Sequence, residues 1–128
     1  DTSYSSRLYT DLVRKGILNR YTLEYVMAKR NEILSQYVDF DKFNAEFVVS
    51  DAMIEDFKKF AEKEGVTWNE KQFERSEPLI KLQLKALIAR NEWNMENYYQ
   101  VVLQLDKAIN KAMEILNDNN QYRSILKR

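Results

Sequence analysis

The chain has no cysteine and no histidine among its 128 residues, and only two glycines and one proline. Without cysteine there are no disulfides, thiolate metal sites or thiol nucleophiles, and the redox compartment stays open because cytosolic and exported proteins alike can lack it. Without imidazole there is no Ser-His or Cys-His catalysis, no ordinary zinc site and no Glu-x-x-His di-iron motif. Gly16 and Gly65 are too few to build a glycine-rich phosphate or oxyanion loop. Twenty basic residues balance twenty acidic ones, so no global field gathers nucleic acid or anionic lipid. No stretch approaches the roughly 20 apolar residues that cross a bilayer.

What is present is 45% hydrophobic and 31% charged residues, the balance of a globular domain rather than a disordered or fibrous chain. A chain of this length suits one domain that buries roughly two thirds of its unfolded surface. Scarce breakers beside abundant Leu, Lys, Glu, Ala and Gln predict long helices. The expectation is a single all-α domain over residues 1–128, a compact bundle of about five to seven helices. No charged-then-apolar leader opens the chain, and the start at Asp1 is that expected of a processed product or an excised segment of something longer.

Punctuation places the helices. Ser5 or Ser6 is predicted to cap a helix through Lys15 that Gly16 ends, and Asn19 to open a second. Between Tyr21 and Tyr37, Leu23, Val26, Met27, Ile33, Leu34 and Tyr37 recur at spacings of three and four, predicting one apolar stripe. Asp39 precedes a brief segment that sets Phe43 and Phe47 at i and i+4, and Val48 and Val49 read as extended. Ser50 and Gly65 bracket a helix carrying Met53, Ile54, Phe57, Phe60 and Ala61. Asn69 and Gln72 resemble a capping box with Trp68 stapled onto Phe73, and Pro78 predicts a break or kink near Ser76 and Glu77, with Pro78 in the first turn of a new helix. From Ile80 the apolar residues alternate as in a strand, but consecutive Ala86, Leu87, Ile88 and Ala89 end that pattern. The segment is read as a helix sheathed on several sides, with Lys81, Lys85 and Arg90 reaching outward. Asn94 is expected to cap a last helix to about Asn117, lined by Tyr98, Val101, Val102, Leu105, Ile109, Ala112, Met113 and Leu116; Ile125 and Leu126 fall in a basic tail.

Chemistry is sparse. Glu24 with Glu32, and Glu55 with Asp56, are the carboxylate pairs to weigh for acid-base or metal work, and neither lies among apolar neighbours that would raise a pKa. Asp39, Asp41 and Glu46 lack calcium-loop spacing. Ser-Lys catalysis needs a serine beside a buried lysine, whereas Ser5, Ser6, Ser35, Ser50, Ser76 and Ser124 read as caps or surface residues. No catalytic, cofactor or metal residue is therefore assigned. Arg20, Tyr21, Tyr25, Lys29 and Arg30 interleave rings and cations as a base-stacking surface does, but Glu24 and Glu32 intervene. Eight tyrosines instead suggest a protein-contact surface, with Tyr21, Tyr25, Tyr98 and Tyr99 the candidates; Tyr98 and Tyr99 cannot both face inward.

Three stretches, DTSYSSRLYTDLVRKGILNRY, FVVSDAMIEDFKKFAEKEGV and above all FERSEPLIKLQLKALIARNEWNMENYYQV, resemble the C-terminal helical region of bacterial carboxyl-terminal processing peptidases, or tail-specific proteases. The most specific parts are LQLKALIAR at Leu82 to Arg90, with Trp93 and Tyr98-Tyr99 after it, and DLVRKGIL at Asp11 to Leu18. The resemblance implies an exported, periplasmic parent serine peptidase with a PDZ domain and a Ser-Lys catalytic domain. That family's nucleophile and lysine base have no matching positions here. The implied role is a non-catalytic, cofactor-free accessory domain that packs on the protease core, shapes access for substrate tails or mediates self-association. From another class, a free-standing helical adaptor fits the same residues. With its charges balanced, the chain is expected to show no salt-dependent retention on immobilised DNA or RNA; retention at low salt that high salt abolishes would return nucleic acid to the list of partners.

Overall fold

Ser6 opens the first helix: its Oγ accepts the Tyr9 N–H at 3.1 Å, satisfying a donor that the first turn of α1 (Arg7–Arg14) leaves without an intrahelical partner. These atoms belong to a computed structural model that describes residues 4–104, among which there are six helices and no strand. Gly16, at φ 70°, turns the chain in the left-handed region and leads at once into α2 (Ile17–Gln36). The expected start at Asn19 is therefore two residues late. One glycine both ends α1 and caps α2, and the Asn19 side chain is left to accept from Arg90 Nη2 at 3.3 Å.

Asp39 caps α3 (Phe40–Glu46) by accepting the Lys42 N–H at 2.9 Å, and the rings of Phe43 and Phe47 stack with centroids 4.6 Å apart. Ser50 caps α4 (Asp51–Lys63) through the Met53 N–H at 3.1 Å. At its far end Gly65, at φ 93°, allows the Val66 N–H to reach the Ala61 carbonyl at 3.0 Å and the Gly65 N–H to reach that of Glu62 at 3.1 Å, the paired bonds of a Schellman ending. Asn69 opens α5 (Glu70–Glu92) by accepting the Gln72 N–H at 3.0 Å, and Trp68 staples onto Phe73 at 5.2 Å. Only half of the capping box forms. Gln72 Oε1 instead accepts the Leu8 N–H at 2.8 Å, so a side chain of α5 satisfies a second orphan donor of α1.

α5 runs through Pro78 as one helix, so the proline lies inside it and does not open a new helix after a break at Ser76 and Glu77. The missing N–H leaves the Glu74 carbonyl without its helical partner, but Glu74 lies on an exposed face where water can serve. On either side the rod is held by burial: Phe73 and Ser76 precede the proline, Ile80 and Leu84 follow, and Ser76 Oγ donates to the Tyr4 carbonyl at 2.7 Å while lying 2.6 Å from Ser6 Oγ. From Ser76 to Trp93 no residue is exposed, as expected of a central helix. Asn94 then caps α6, described over residues 95–104, by accepting the Asn97 N–H at 3.1 Å. α6 returns along α5, with the Tyr98 hydroxyl donating to Gln83 Oε1 at 3.1 Å and Val101 buried. Leu105, Ile109, Ala112, Met113, Leu116, Ile125 and Leu126 lie outside the described residues.

Two aromatic clusters extend the core around α5. Tyr37, Phe40, Phe43 and Phe47 gather under Trp93, whose ring lies 5.2 Å from Phe43. Tyr21, Phe57, Phe60, Trp68 and Phe73 form the other. The stripe expected on α2 divides. Leu18, Tyr21, Thr22, Val26 and Ile33 are buried, whereas Leu23, Met27 and Leu34 are exposed, Met27 to 70%. At about 100° per residue, Leu23 and Met27 each sit one step around the helix from Thr22 and Val26, and only the first line faces α5. Non-helical backbone at Lys29 (φ −122°, ψ 16°) bends α2 between its two buried stretches. Thr22 is accommodated at the interface because its hydroxyl donates to the Leu18 carbonyl at 2.8 Å. Among the described residues no helix is long and apolar enough to cross a membrane.

Two stability measurements follow from this packing. Phe57→Ala, at a fully buried ring, is expected to cost about 3–5 kcal/mol in urea unfolding. Pro78→Ala, which restores the missing donor, is expected to raise stability by about 2 kcal/mol, the loss of an interior-proline penalty less the unfolded-state entropy that proline removes.

Candidate functional site

The N-terminal half of α2 and the middle of α4 stand apart to leave an open trough of about 360 Å³. Its floor is aromatic. Tyr21, only 5% exposed, meets Phe57 and Phe60 edge-on at 5.1 and 5.5 Å, and Tyr25 lies beside it at 6.2 Å. The Tyr21 hydroxyl crosses between the helices to donate to Asp56 Oδ2 at 2.8 Å. Burial first, then that carboxylate, holds the Tyr21 phenol well above its ordinary range; Tyr25 is raised chiefly by burial, with Tyr37 and Glu32 adding to it. Both rings therefore remain neutral donors at physiological pH.

The rim is cationic. Lys29 from α2 sets its Nζ 5.8 Å from the Tyr25 ring centroid, a cation-π distance, while Lys59 and Lys63 rise one turn apart from α4. Glu24 and Asp56 are the acids among the lining residues. A contiguous hollow of about 390 Å³, sharing Tyr21, Tyr25, Lys29 and Asp56, carries the trough on to Ser50 and Met53 at the start of α4.

The four tyrosines named from sequence thus separate into two pairs. Tyr21 and Tyr25 share the trough. Tyr98 turns inward to border a different depression, between Leu12, Leu18 and Leu87, while Tyr99 is 58% exposed with its ring edge-on to Tyr98 at 5.3 Å. Arg20 and Arg30 do not join the trough: Arg20 pairs with Glu64, and Arg30 turns to Glu92. Glu32 reaches Lys29 at 3.8 Å, Glu24 and Glu55 are exposed, and Asp39 is occupied as a cap. Among the described residues no three acidic side chains cluster as metal ligands would.

Two charged groups were missed by sequence reasoning, both in the C-terminal half of α5: Lys85 is half-buried, and the Glu92 side chain is almost wholly covered. Lys85, expected to reach outward, folds back so that its Nζ donates to the Asn44 carbonyl at 2.8 Å and sits 6.0 Å from the Phe43 centroid. A cation there complements the last turn of α3, and burial lowers its pKa. Such a lysine is half of a Ser-Lys pair, but the buried serine of the same helix, Ser76, lies nine residues away, about 13 Å along the axis. Glu92 has a side chain only 2% exposed; Oε1 lies 3.5 Å from Arg30 Nε, and Oε2 has no hydrogen-bond partner. Burial pushes its carboxyl above the usual range, only partly offset by Arg30. The legible signal was the position of Lys85 inside the densest apolar run; nothing local distinguishes Glu92.

With this geometry in view, residues 8–94 match the family of unknown function DUF8443, a span of more than half the chain, and the protein belongs to that family. The matched span runs from α1 to the residue that caps α6, so both walls of the trough lie within it. No curated protein and no solved structure matches the chain.

Glu92 makes stability depend on pH in a definite sense. The folded state holds its proton more tightly than the unfolded chain, so its contribution is complete below the ordinary glutamate range and is lost as pH rises through the raised value. Glu92→Gln is expected to unfold at higher urea than the parent at neutral pH, the gap closing below about pH 4; an equal or lower midpoint at neutral pH would show that the Arg30 pair outweighs burial.

Proposed function

We propose that this chain is a non-catalytic helical interaction domain, and specifically the C-terminal accessory domain of an exported carboxyl-terminal processing serine protease. In this reading it packs against the PDZ and catalytic domains of its parent, braces them and helps shape access for substrate tails. The resemblance of its helical segments to that protease region supports the specific form. One structural observation supports the general form: Leu23, Met27 and Leu34 on α2 remain exposed, Met27 to 70%, and Val38, just past the end of the helix, is exposed to 74%. Exposed apolar side chains gathered on one stretch of a helix mark a surface that something else covers. Met95, Tyr99 and Leu103 repeat the pattern on α6.

A free-standing helical adaptor is the second reading, favoured by the trough, whose aromatic floor and polar rim have the make-up of a protein-contact surface. Gene context separates the two. A peptidase domain encoded directly upstream supports the accessory reading; a gene that starts at this segment removes it.

Association with the separately produced PDZ and catalytic portion is the direct test, read by size-exclusion chromatography. The chain is expected to co-elute with it, and Met27→Glu/Leu34→Glu to abolish co-elution while circular dichroism stays unchanged, since both side chains are exposed. No association, together with full activity of a protease lacking this region, would end the accessory reading.

A further inference from the structure

The trough between α2 and α4 unites an aromatic floor, an elongated shape and a cationic rim. The geometry points to one occupant: an extended segment of a partner protein in which apolar and acidic residues alternate, the apolar side chains resting on Tyr25 and Phe60 and the carboxylates meeting Lys29, Lys59 and Lys63. This rests on the reading of the chain as an interaction domain and specifies the chemistry that it takes.

Shape selects an extended chain. From Met53 to Lys63 the α4 wall is about 15 Å long at 1.5 Å per residue, enough for roughly four to five residues of a strand at about 3.3 Å each. Successive side chains of a strand point to opposite sides, so a strand lying in the trough turns every second residue to the floor and the intervening ones to the rim. Lys59 and Lys63 stand about 6 Å apart along α4, close to the roughly 6.6 Å between alternate residues of a strand. Tyr21 does not compete for the occupant: wedged against Phe57 and tied to Asp56, it is the foundation on which the Tyr25 ring lies.

Charge selects the acids. Among the described residues Lys59 and Lys63 make no ion pair, and Lys29 has only Glu32 at 3.8 Å, whereas Lys58, which does not line the trough, is paired with Glu70 at 3.0 Å. Of the two acids in the lining, Asp56 is engaged by the Tyr21 hydroxyl, which leaves Glu24 as the other acid facing three lysines. Unpaired cations beside an apolar floor attract carboxylates and hold them near the ring surface. A nucleic-acid strand is served less well. Tyr21 is too buried to stack a base, and the chain has no net positive charge to release counterions.

The test is fluorescence anisotropy of the whole chain with a short labelled peptide alternating Glu and Leu, beside its Lys-Leu counterpart and an oligothymidylate. The Glu-Leu peptide is expected to bind, more weakly as salt rises, and to lose about tenfold or more in affinity in Lys59→Glu/Lys63→Glu and in Tyr25→Ala. Unchanged circular dichroism shows that the lysine variant, altered only at exposed positions, remains folded. Absence of binding, equal affinity for the Lys-Leu peptide, undiminished binding by the lysine double variant or preference for the oligothymidylate would each overturn the assignment. So would self-association of the chain that the same double variant dissolves, because the occupant would then be a second copy. Peptide binding and co-elution through the exposed Leu23, Met27 and Leu34 of α2 are separate readouts: loss of the first alone removes this inference, and loss of the second alone removes the accessory reading.

Discussion

Enclosure of α5 from Ser76 onward is the constraint from which the other positions follow. A helix with no exposed residue from Ser76 to Trp93 requires neighbours around its whole circumference, and α1, α2 and α6 are arranged to supply them. Ala86 and Ala89, fully buried, let backbones come close, while Ile80, Leu84, Leu87 and Ile88 fill the remaining volume. The same enclosure explains how Pro78 is tolerated. Breaking the rod there would separate Ser76, bonded to Tyr4, from Ile80 and Leu84 in one continuous core, a loss that exceeds the cost of one unsatisfied helical carbonyl on an exposed face.

Enclosing α5 leaves α2 with divided duties. Its line through Leu18, Thr22, Val26 and Ile33 is covered, and the line one step around through Leu23, Met27 and Leu34 is not. On the flank between these surfaces and α4, Tyr21 acts as a strut: its ring fills the space against Phe57 and Phe60, and its hydroxyl bridges to Asp56. A strut of that length keeps the helices apart above it, so the trough results from packing a long polar-tipped side chain where a short aliphatic one would let the helices close. A contact surface and a folded core therefore share a residue, which gives the site a rigid foundation.

Much of this was readable in advance because helix ends are written locally. Ser6, Asp39, Ser50, Asn69 and Asn94 each cap through a bond that spans three residues, and Gly65 closes α4 through a backbone angle of its own. The central helix was legible for a related reason: consecutive apolar residues with high helix propensity can only be sheathed. Where long-range partners decide, reading failed. Gln72 leaves its own cap for Leu8, Asn19, expected as a cap, accepts from Arg90, Lys85 folds onto Asn44, and Glu92 is buried beside Arg30. Of the site, Tyr21 and Tyr25 with Lys29 were visible as a local pattern. Their opposite wall, Lys59, Phe60 and Lys63, lies thirty or more residues on and carried no mark of the pairing.

The amino-acid order alone determined that this protein is helical, where most of its helices begin and end, and that thiol and imidazole chemistry are closed to it, because these rest on composition and on bonds between near neighbours. Only the tertiary structure decided which of the two apolar lines on α2 is covered, whether the proline breaks its helix, and that two distant helices form one aromatic, lysine-rimmed trough. Those outcomes depend on which surfaces meet. A single helix with apolar residues on two adjoining lines is compatible with either being inside, and the choice falls to whichever arrangement encloses α5.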